Sequence, residues 1–202
     1  MFQRIKTMNE SIYYNIDMLH SAINNNEKVR FQYFNWNTDK KQELRHGGEY
    51  YSVSPWGVCW NDEWYYLIAF DDKTQEIRYY RVNKMKKLML TGEEREGKGS
   101  FDSLDMGIYS KKRFGMYDGN EERVHLICKN DFAGIMIDRF GKDIPFSKVD
   151  KEHFEVTVTV AVSGLFFGWI MGLGDGVRIS GLAEVVDKMK EEIGRLHDTY
   201  GM

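Results

Sequence analysis

Residues 78–87 read Arg78-Tyr79-Tyr80-Arg81-Val82-Asn83-Lys84-Met85-Lys86-Lys87, with five cations, no acid and two adjacent aromatic rings. Guanidinium groups clamp phosphate oxygens through parallel N–H donors, and tyrosine faces stack on bases. The pattern suits a nucleotide or a single-stranded nucleic acid. The same composition also serves a solvated edge strand, whose charges deter pairing with another chain. Geometry sets a condition on the binding reading. In a regular strand residues 78 and 81 face opposite sides, so both line one pocket only if the strand bulges or ends near Tyr80.

A second concentration of potential contacts lies upstream. Tyr50, Tyr51, Trp56, Trp60, Trp64, Tyr65, Tyr66 and Phe70 fall within 21 residues. Aromatic cross-strand pairs in a core account for most of these, and a small barrel leaves some of them lining a groove. His46, in a polar stretch near basic residues, either joins such a pocket or is an ordinary loop histidine. The remaining histidines, 20, 125, 153 and 197, are scattered and share no ligand spacing. Gly172-Leu173-Gly174-Asp175-Gly176 follows a helix and precedes a strand, the reverse of the order in phosphate-binding loops, so it reads as a helix-ending turn. Cys59 and Cys128 form no CxxC pair and read as reduced thiols. No Ser-His-Asp order, nucleophile elbow or carboxylate pair with a role is present, so neither catalysis nor a cofactor or metal is expected.

The elements that must position these residues follow from periodicity. Ile12, Ile16, Leu19 and Ile23 form one apolar stripe, which predicts a helix over residues 10–26. Strands are predicted around 29–34, 50–60, 63–70 and 76–90. Pro55 implies an edge, bend or bulge in the second. Both faces of the third are apolar, so it should be central. Short turns between them suggest a small, strongly curved sheet or barrel. Residues 91–100, with Gly92, Gly97 and Gly99, read as a connector, and the irregular stretch through residues 114–119 continues it. Beyond it come a strand at 123–129, a helix at 131–140, a short strand at 144–149, a strand at 154–162, a helix at 163–172, a strand at 176–180 and a final helix at 182–200. The order β-α-β-β-α-β is that of a ferredoxin-like unit.

Taken together these pieces resemble the WYL domain and its C-terminal extension, WCX. The signature tripeptide stands as Tyr65-Tyr66-Leu67, with tyrosine in the tryptophan position. The opening strand matches Phe31-Gln32-Tyr33 and the proline strand Tyr51 to Pro55. The arginine-rich strand matches Arg78 to Met85, with Asn83 for aspartate and Lys84 for the last arginine. A lysine at that place contacts phosphate as a point charge and lacks the planar fork. Phe114 to Gly119, Ile137 to Gly141 and Phe166 to Trp169 are similar to the WCX pattern. The resemblance implies an α+β chain. It divides into an N-terminal linker helix (1–26), an Sm-like β-barrel (27–91), a linker (92–119) and a ferredoxin-like WCX domain with a C-terminal helix (120–202). It implies a ligand pocket of Tyr33, Ser54, Tyr66, Arg78, Arg81 and Lys84, a nucleic-acid or nucleotide-like effector, and a homodimer. Relatives usually begin with a winged helix-turn-helix that contacts duplex DNA. Only nine residues precede the first predicted helix, so that domain is not expected here.

Composition narrows the function further. With 42% hydrophobic and 29% charged residues the chain can build a core and a solvated surface. A net charge of −3 argues against a broad duplex-binding face and leaves room for a local basic pocket. No apolar run approaches the roughly 20 residues of a membrane span, and the N-terminus carries no signal-peptide core, so the cytoplasm is the expected location. The expected role is the ligand-sensing and dimerising part of a bacterial transcriptional regulator. The alternative is a stand-alone interaction module that pairs with full-length regulators and binds no ligand.

Overall fold

The first helix, α1 (Glu10–Asn24), is amphipathic in the way its sequence predicts. Leu19 and Ala22 are fully buried, and Ile12, Ile16 and Met18 pack beside them against the core of a curled antiparallel sheet. The computed structural model describes residues 10–61, 63–101 and 121–201. The chain divides into two units, Met1–Met106 and Gly107–Met202. Each is treated by itself below, and residues 114–119 lie outside the described residues.

In the first unit the strands are β1 (Glu27–Trp36), β2 (Gln42–Leu44), β3 (Tyr51–Asn61), β4 (Trp64–Asp71), β5 (Glu76–Arg81) and β6 (Met85–Glu94). Their order is β2-β1-β3-β4-β5, and β6, off this path, also pairs with β1. The sheet therefore curls into a half-barrel around Val29, Phe31, Tyr33, Val53, Leu67, Ala69, Tyr80 and Val82. As its two apolar faces predict, β4 is central, and Tyr66 to Asp71 are buried without a break. Pro55 sits on a strand paired on both sides, and the chain accommodates it with a register shift between Pro55 and Gly57. The predicted single strand over 76–90 is two strands. Val82–Lys84 forms a one-turn 3-10 helix, and fully buried Val82 pins that corner to the core.

Residues 91–100, expected as a connector, behave otherwise. β6 continues to Glu94, and a strap of Arg95, Glu96 and Gly97 lies on the sheet before a single helical turn at Lys98–Phe101. The Glu96 amide donates to Ser54 Oγ at 2.8 Å, and the Trp56 indole N–H donates to the Glu96 carbonyl at 2.9 Å. Arg95 donates to the Pro55 carbonyl at 2.7 Å, and its guanidinium lies 4.1 Å above the Trp56 ring. Lys28 is buried where the strap meets the sheet and bonds both Asp72 (3.1 Å) and Glu96 (2.9 Å). Burial works against its charge, but the hydrogen bonds it donates to Glu96 and Asp72, with their negative charges, outweigh it and leave the ammonium above its ordinary value.

The second unit has β7 (Glu121–Lys129), α2 (Ala133–Phe140), β8 (Phe146–Lys148), β9 (His153–Ala161), α3 (Gly164–Gly172), β10 (Val177–Ile179) and α4 (Ala183–Tyr200). The antiparallel sheet runs β10-β7-β9-β8. Val124, Leu126 and Cys128 of β7 and Phe154, Val156, Val158 and Val160 of β9 alternate inward. They meet Met136 of α2, Phe166, Phe167 and Ile170 of α3, and Val185 of α4. Ser163 caps α3, its hydroxyl accepting the Phe166 amide. Gly174–Gly176 forms a turn between α3 and β10. Ile135 is exposed on α2, and along α4 only Val185 is fully buried, leaving Ile193 and Tyr200 in solvent. Both units are α+β in class. Among the described residues, no helix is long and apolar enough to cross a membrane.

Candidate functional site

The aromatic wall of the half-barrel comes first. Phe31 and Tyr51 stack at 5.6 Å with planes 4° apart, while Tyr33 and Tyr80 meet both edge-on. The Tyr80 hydroxyl donates a short hydrogen bond to Asp71, a buried carboxylate that also caps the Lys73 and Thr74 amides. Burial, and then that neighbouring carboxylate, push the Tyr80 phenol far above its ordinary value. Tyr33 is also raised by burial, although the Arg81 amide and the Arg81 and Arg45 charges act against the shift.

Cations gather at the open side of this wall. Arg81 ends β5 opposite Tyr66. Its guanidinium lies 3.8 Å above the Trp64 ring and donates to Asn83 Oδ1 at 3.3 Å. Lys84, in the next turn, reaches Asn35 at 3.5 Å. Arg45 lies 5.9 Å from the Tyr33 ring. It is brought there by a tight 3-10 turn in which His46, Gly47 and Gly48 all take positive φ, at 50°, 64° and 89°. Lys84 is held below the ordinary lysine value, first by burial and then by the Arg81 and Arg45 charges. Among the described residues, no carboxylate forms an ion pair with Arg45, Arg81 or Lys84.

Of the six residues expected at the pocket, the structure brings Tyr33, Tyr66, Arg81 and Lys84 together. Tyr66 and Arg81 are paired across β4 and β5, and the Tyr66 hydroxyl bears on that of Tyr33. Arg78 is apart from them. The β4–β5 register is unbroken from Asp71 to Tyr66, so residues 78 and 81 face opposite sides of the strand. Arg78 pairs with Glu76 at 2.7 Å and has 42% of its side chain exposed. Ser54 is fully buried, and its hydroxyl serves the strap. Sequence reasoning missed Arg45 because its Gly-Gly neighbour read only as a loop. The usable signal was a cation just ahead of a pair of glycines that can fold back.

An open pocket of about 330 Å³ has His46, Tyr51, Asp71 and Asp72 in its wall. Cys59 and Cys128 are unpaired thiols that burial pushes up to about 11. Among the described residues, no cluster of His, Cys, Asp or Glu could hold a metal ion.

One comparison with known families bears on the first unit. The family model described as the WYL domain matches residues 14–90, from α1 to the middle of β6. Among solved structures the chain is similar to proteasome accessory factor B/C (PafBC) of Arthrobacter aurescens, at 16% identity and a TM-score of 0.41. The likeness covers 98% of this chain and 28% of that one. No curated protein matches the sequence. What the comparisons identify is a region of the chain: residues 14–90 match the WYL-domain family model.

Proposed function

We propose that this chain is the ligand-sensing part of a bacterial transcriptional regulator, and that its WYL domain binds an anionic, nucleotide-like effector or short single-stranded nucleic acid. One observation carries the reading. Arg45, Arg81 and Lys84 gather beside Tyr33 and Tyr66, and among the described residues no carboxylate forms an ion pair with them. Burial first, and then the Arg81 and Arg45 charges, work against the Lys84 ammonium, and a phosphate placed among the three cations relieves their mutual repulsion. Arg81, braced on Trp64, offers the planar fork, and Lys84 a point charge. The role assigns no catalytic step to the protein.

In this reading the half-barrel is Sm-like and the second unit is a ferredoxin-like WCX domain. The strand order β10-β7-β9-β8, with one helix after β7 and another after β9, supports the latter. Homodimerisation belongs to the same proposal. The exposed Ile193 and Tyr200 of α4 form part of an apolar stripe that a second copy would cover. Contact with duplex DNA falls to a winged helix-turn-helix and not to either unit described here.

The test is fluorescence anisotropy with short single-stranded oligonucleotides at two salt concentrations, on wild type and Arg81→Ala. Binding that weakens with salt and falls at least about tenfold on substitution supports the reading. Affinity indifferent to both overturns it.

A further inference from the structure

The last helix leaves the core of the second unit early. Val185 is buried and Met189 packs beside it, but beyond Met189 no described residue of α4 is buried. The helix nonetheless continues to Tyr200. Its apolar side chains continue with it, Ile193 at 51% exposure and Tyr200 at 74%. A stripe that serves no core in its own unit calls for another surface.

The spacing of the stripe identifies that surface. Val186, Met189, Ile193, Leu196 and Tyr200 follow one another at intervals of three, four, three and four residues. This is the heptad pattern, and a seam of that period is complementary to another helix of the same period. Helical geometry puts Glu192 on one flank of the seam, and Lys190 and His197 on the other. Arg195 fixes the Glu192 carboxylate on its flank, donating to Oε2 at 2.9 and 2.8 Å. One flank is therefore acidic and the other basic, which sets the direction in which two copies fit. Side by side and parallel, Glu192 of each copy meets His197 of the other, on both sides of the seam. In the antiparallel pairing that sets Ile193 on Met189, Glu192 meets the other copy's Glu192, and Lys190 meets the other copy's Lys190.

We infer that the distal part of α4, from Met189 to Tyr200, is a self-complementary seam that pairs in parallel with α4 of a second copy, Glu192 of each chain against His197 of the other. The inference rests on the homodimer reading above and gives that dimer a place and a direction. About 18 Å of helix, at ~1.5 Å per residue, buries less than the roughly 800 Å² per partner of a standard interface. The dimer is therefore weak and exchanges with monomer as concentration changes. The ion pairs that Glu192 and Lys190 make within their own helix lie near solvent and yield at little cost.

The test is sedimentation equilibrium on the full chain, from micromolar to millimolar concentration. Wild type should show a monomer–dimer equilibrium. Ile193→Glu should raise its dissociation constant at least about tenfold, because a carboxylate then enters the seam. Ile193 is exposed in the single chain, so that variant should keep the circular dichroism of wild type. Glu192→Lys reads the direction. In the parallel pair it sets a cation against His197 and should weaken the dimer about threefold or more, and adding His197→Glu should restore it. In the antiparallel pair the same change removes a like-charge contact and tightens the dimer. A wild type that stays monomeric throughout overturns the inference and the homodimer together, and leaves the anion site standing. A dimer that Ile193→Glu leaves unchanged uses another face, and one that Glu192→Lys tightens runs antiparallel. Either result overturns the inference while the homodimer stands.

Discussion

The Tyr33 hydroxyl accepts a 3.0 Å hydrogen bond from the backbone amide of Arg81. Tyr33 lies on β1, and Arg81 ends β5. Among the described residues no ladder joins β5 to β6, so this bond ties together the seam at which the half-barrel stays open. It also fixes the backbone from which the Arg81 guanidinium projects over Trp64. One hydroxyl therefore contributes to both the fold and the aim of the cation.

Tyr33→Phe should cost about 1–3 kcal/mol, because the Arg81 amide is left without its acceptor in a part-buried place. Urea unfolding should show a lower midpoint with an unchanged slope. Tyr51→Phe is the internal control. It deletes a hydroxyl that bonds nothing, and its midpoint should hold or rise. Equal losses in the two variants would mean that ring polarity, not the seam bond, matters.

Lys84 gives a prediction in pH. Its folded value lies below the ordinary 10.5, so the unfolded chain holds the proton more tightly than the folded one. Stability then rises with pH across the window just under 10.5, and the Lys84 penalty is fully present below it. Lys84→Gln should abolish that rise and leave the protein more stable than wild type near neutrality. Inorganic phosphate should reverse the ranking by raising the melting temperature of wild type more than that of the variant. A variant whose midpoint tracks wild type at every pH would mean that Lys84 feels neither Arg81 nor Arg45.

Much of this arrangement was legible in the sequence, and the reasons it stops are physical. Alternation in β1 and β4 and the i, i+4 stripe of α1 depend on local periodicity, which burial enforces residue by residue. The opposed faces of residues 78 and 81 follow from strand geometry alone, and the unbroken β4–β5 register keeps them opposed. Arg45 and the strap at Arg95–Gly97 were not legible. Both depend on where a glycine-containing segment folds back, and positive φ permits several such paths without choosing one. Buried Lys28 was hidden for a related reason: its partners, Asp72 and Glu96, are 44 and 68 residues away.

The aromatic wall predicts an alkaline transition. Burial raises Tyr33, Tyr51 and Tyr80 above the ordinary tyrosine value of 10.0. Their neutral forms are favoured by folding, so this stabilisation is complete below pH 10 and is lost as pH climbs past it. Tyrosinate absorbance from these three rings should therefore appear in a late step that coincides with loss of circular dichroism. A single smooth titration before any unfolding would contradict the buried wall.

The strap can be separated from the rest of the domain with one methyl group. Gly97 takes φ +78°, and a Cβ built there would stand 2.3 Å from Cγ of Phe70, a ring held in the central strand. Gly97→Ala combines an unfavourable backbone conformation with a clash that the ring cannot easily yield to, a cost of about 1–3 kcal/mol. The strap is the weaker side of that contact. It is held by the Glu96 amide on Ser54, the Arg95 contacts to Pro55 and Trp56, and the Lys28–Glu96 pair, and it should lift before the sheet unfolds. Hydrogen exchange at the Glu96 amide should then quicken by at least about tenfold, while amides of Leu67 to Phe70 keep their protection. Gly99→Ala, two residues on, meets open space at an ordinary φ and should change neither. Loss of protection across β4 in Gly97→Ala would show instead that the strap and the sheet fold as one unit.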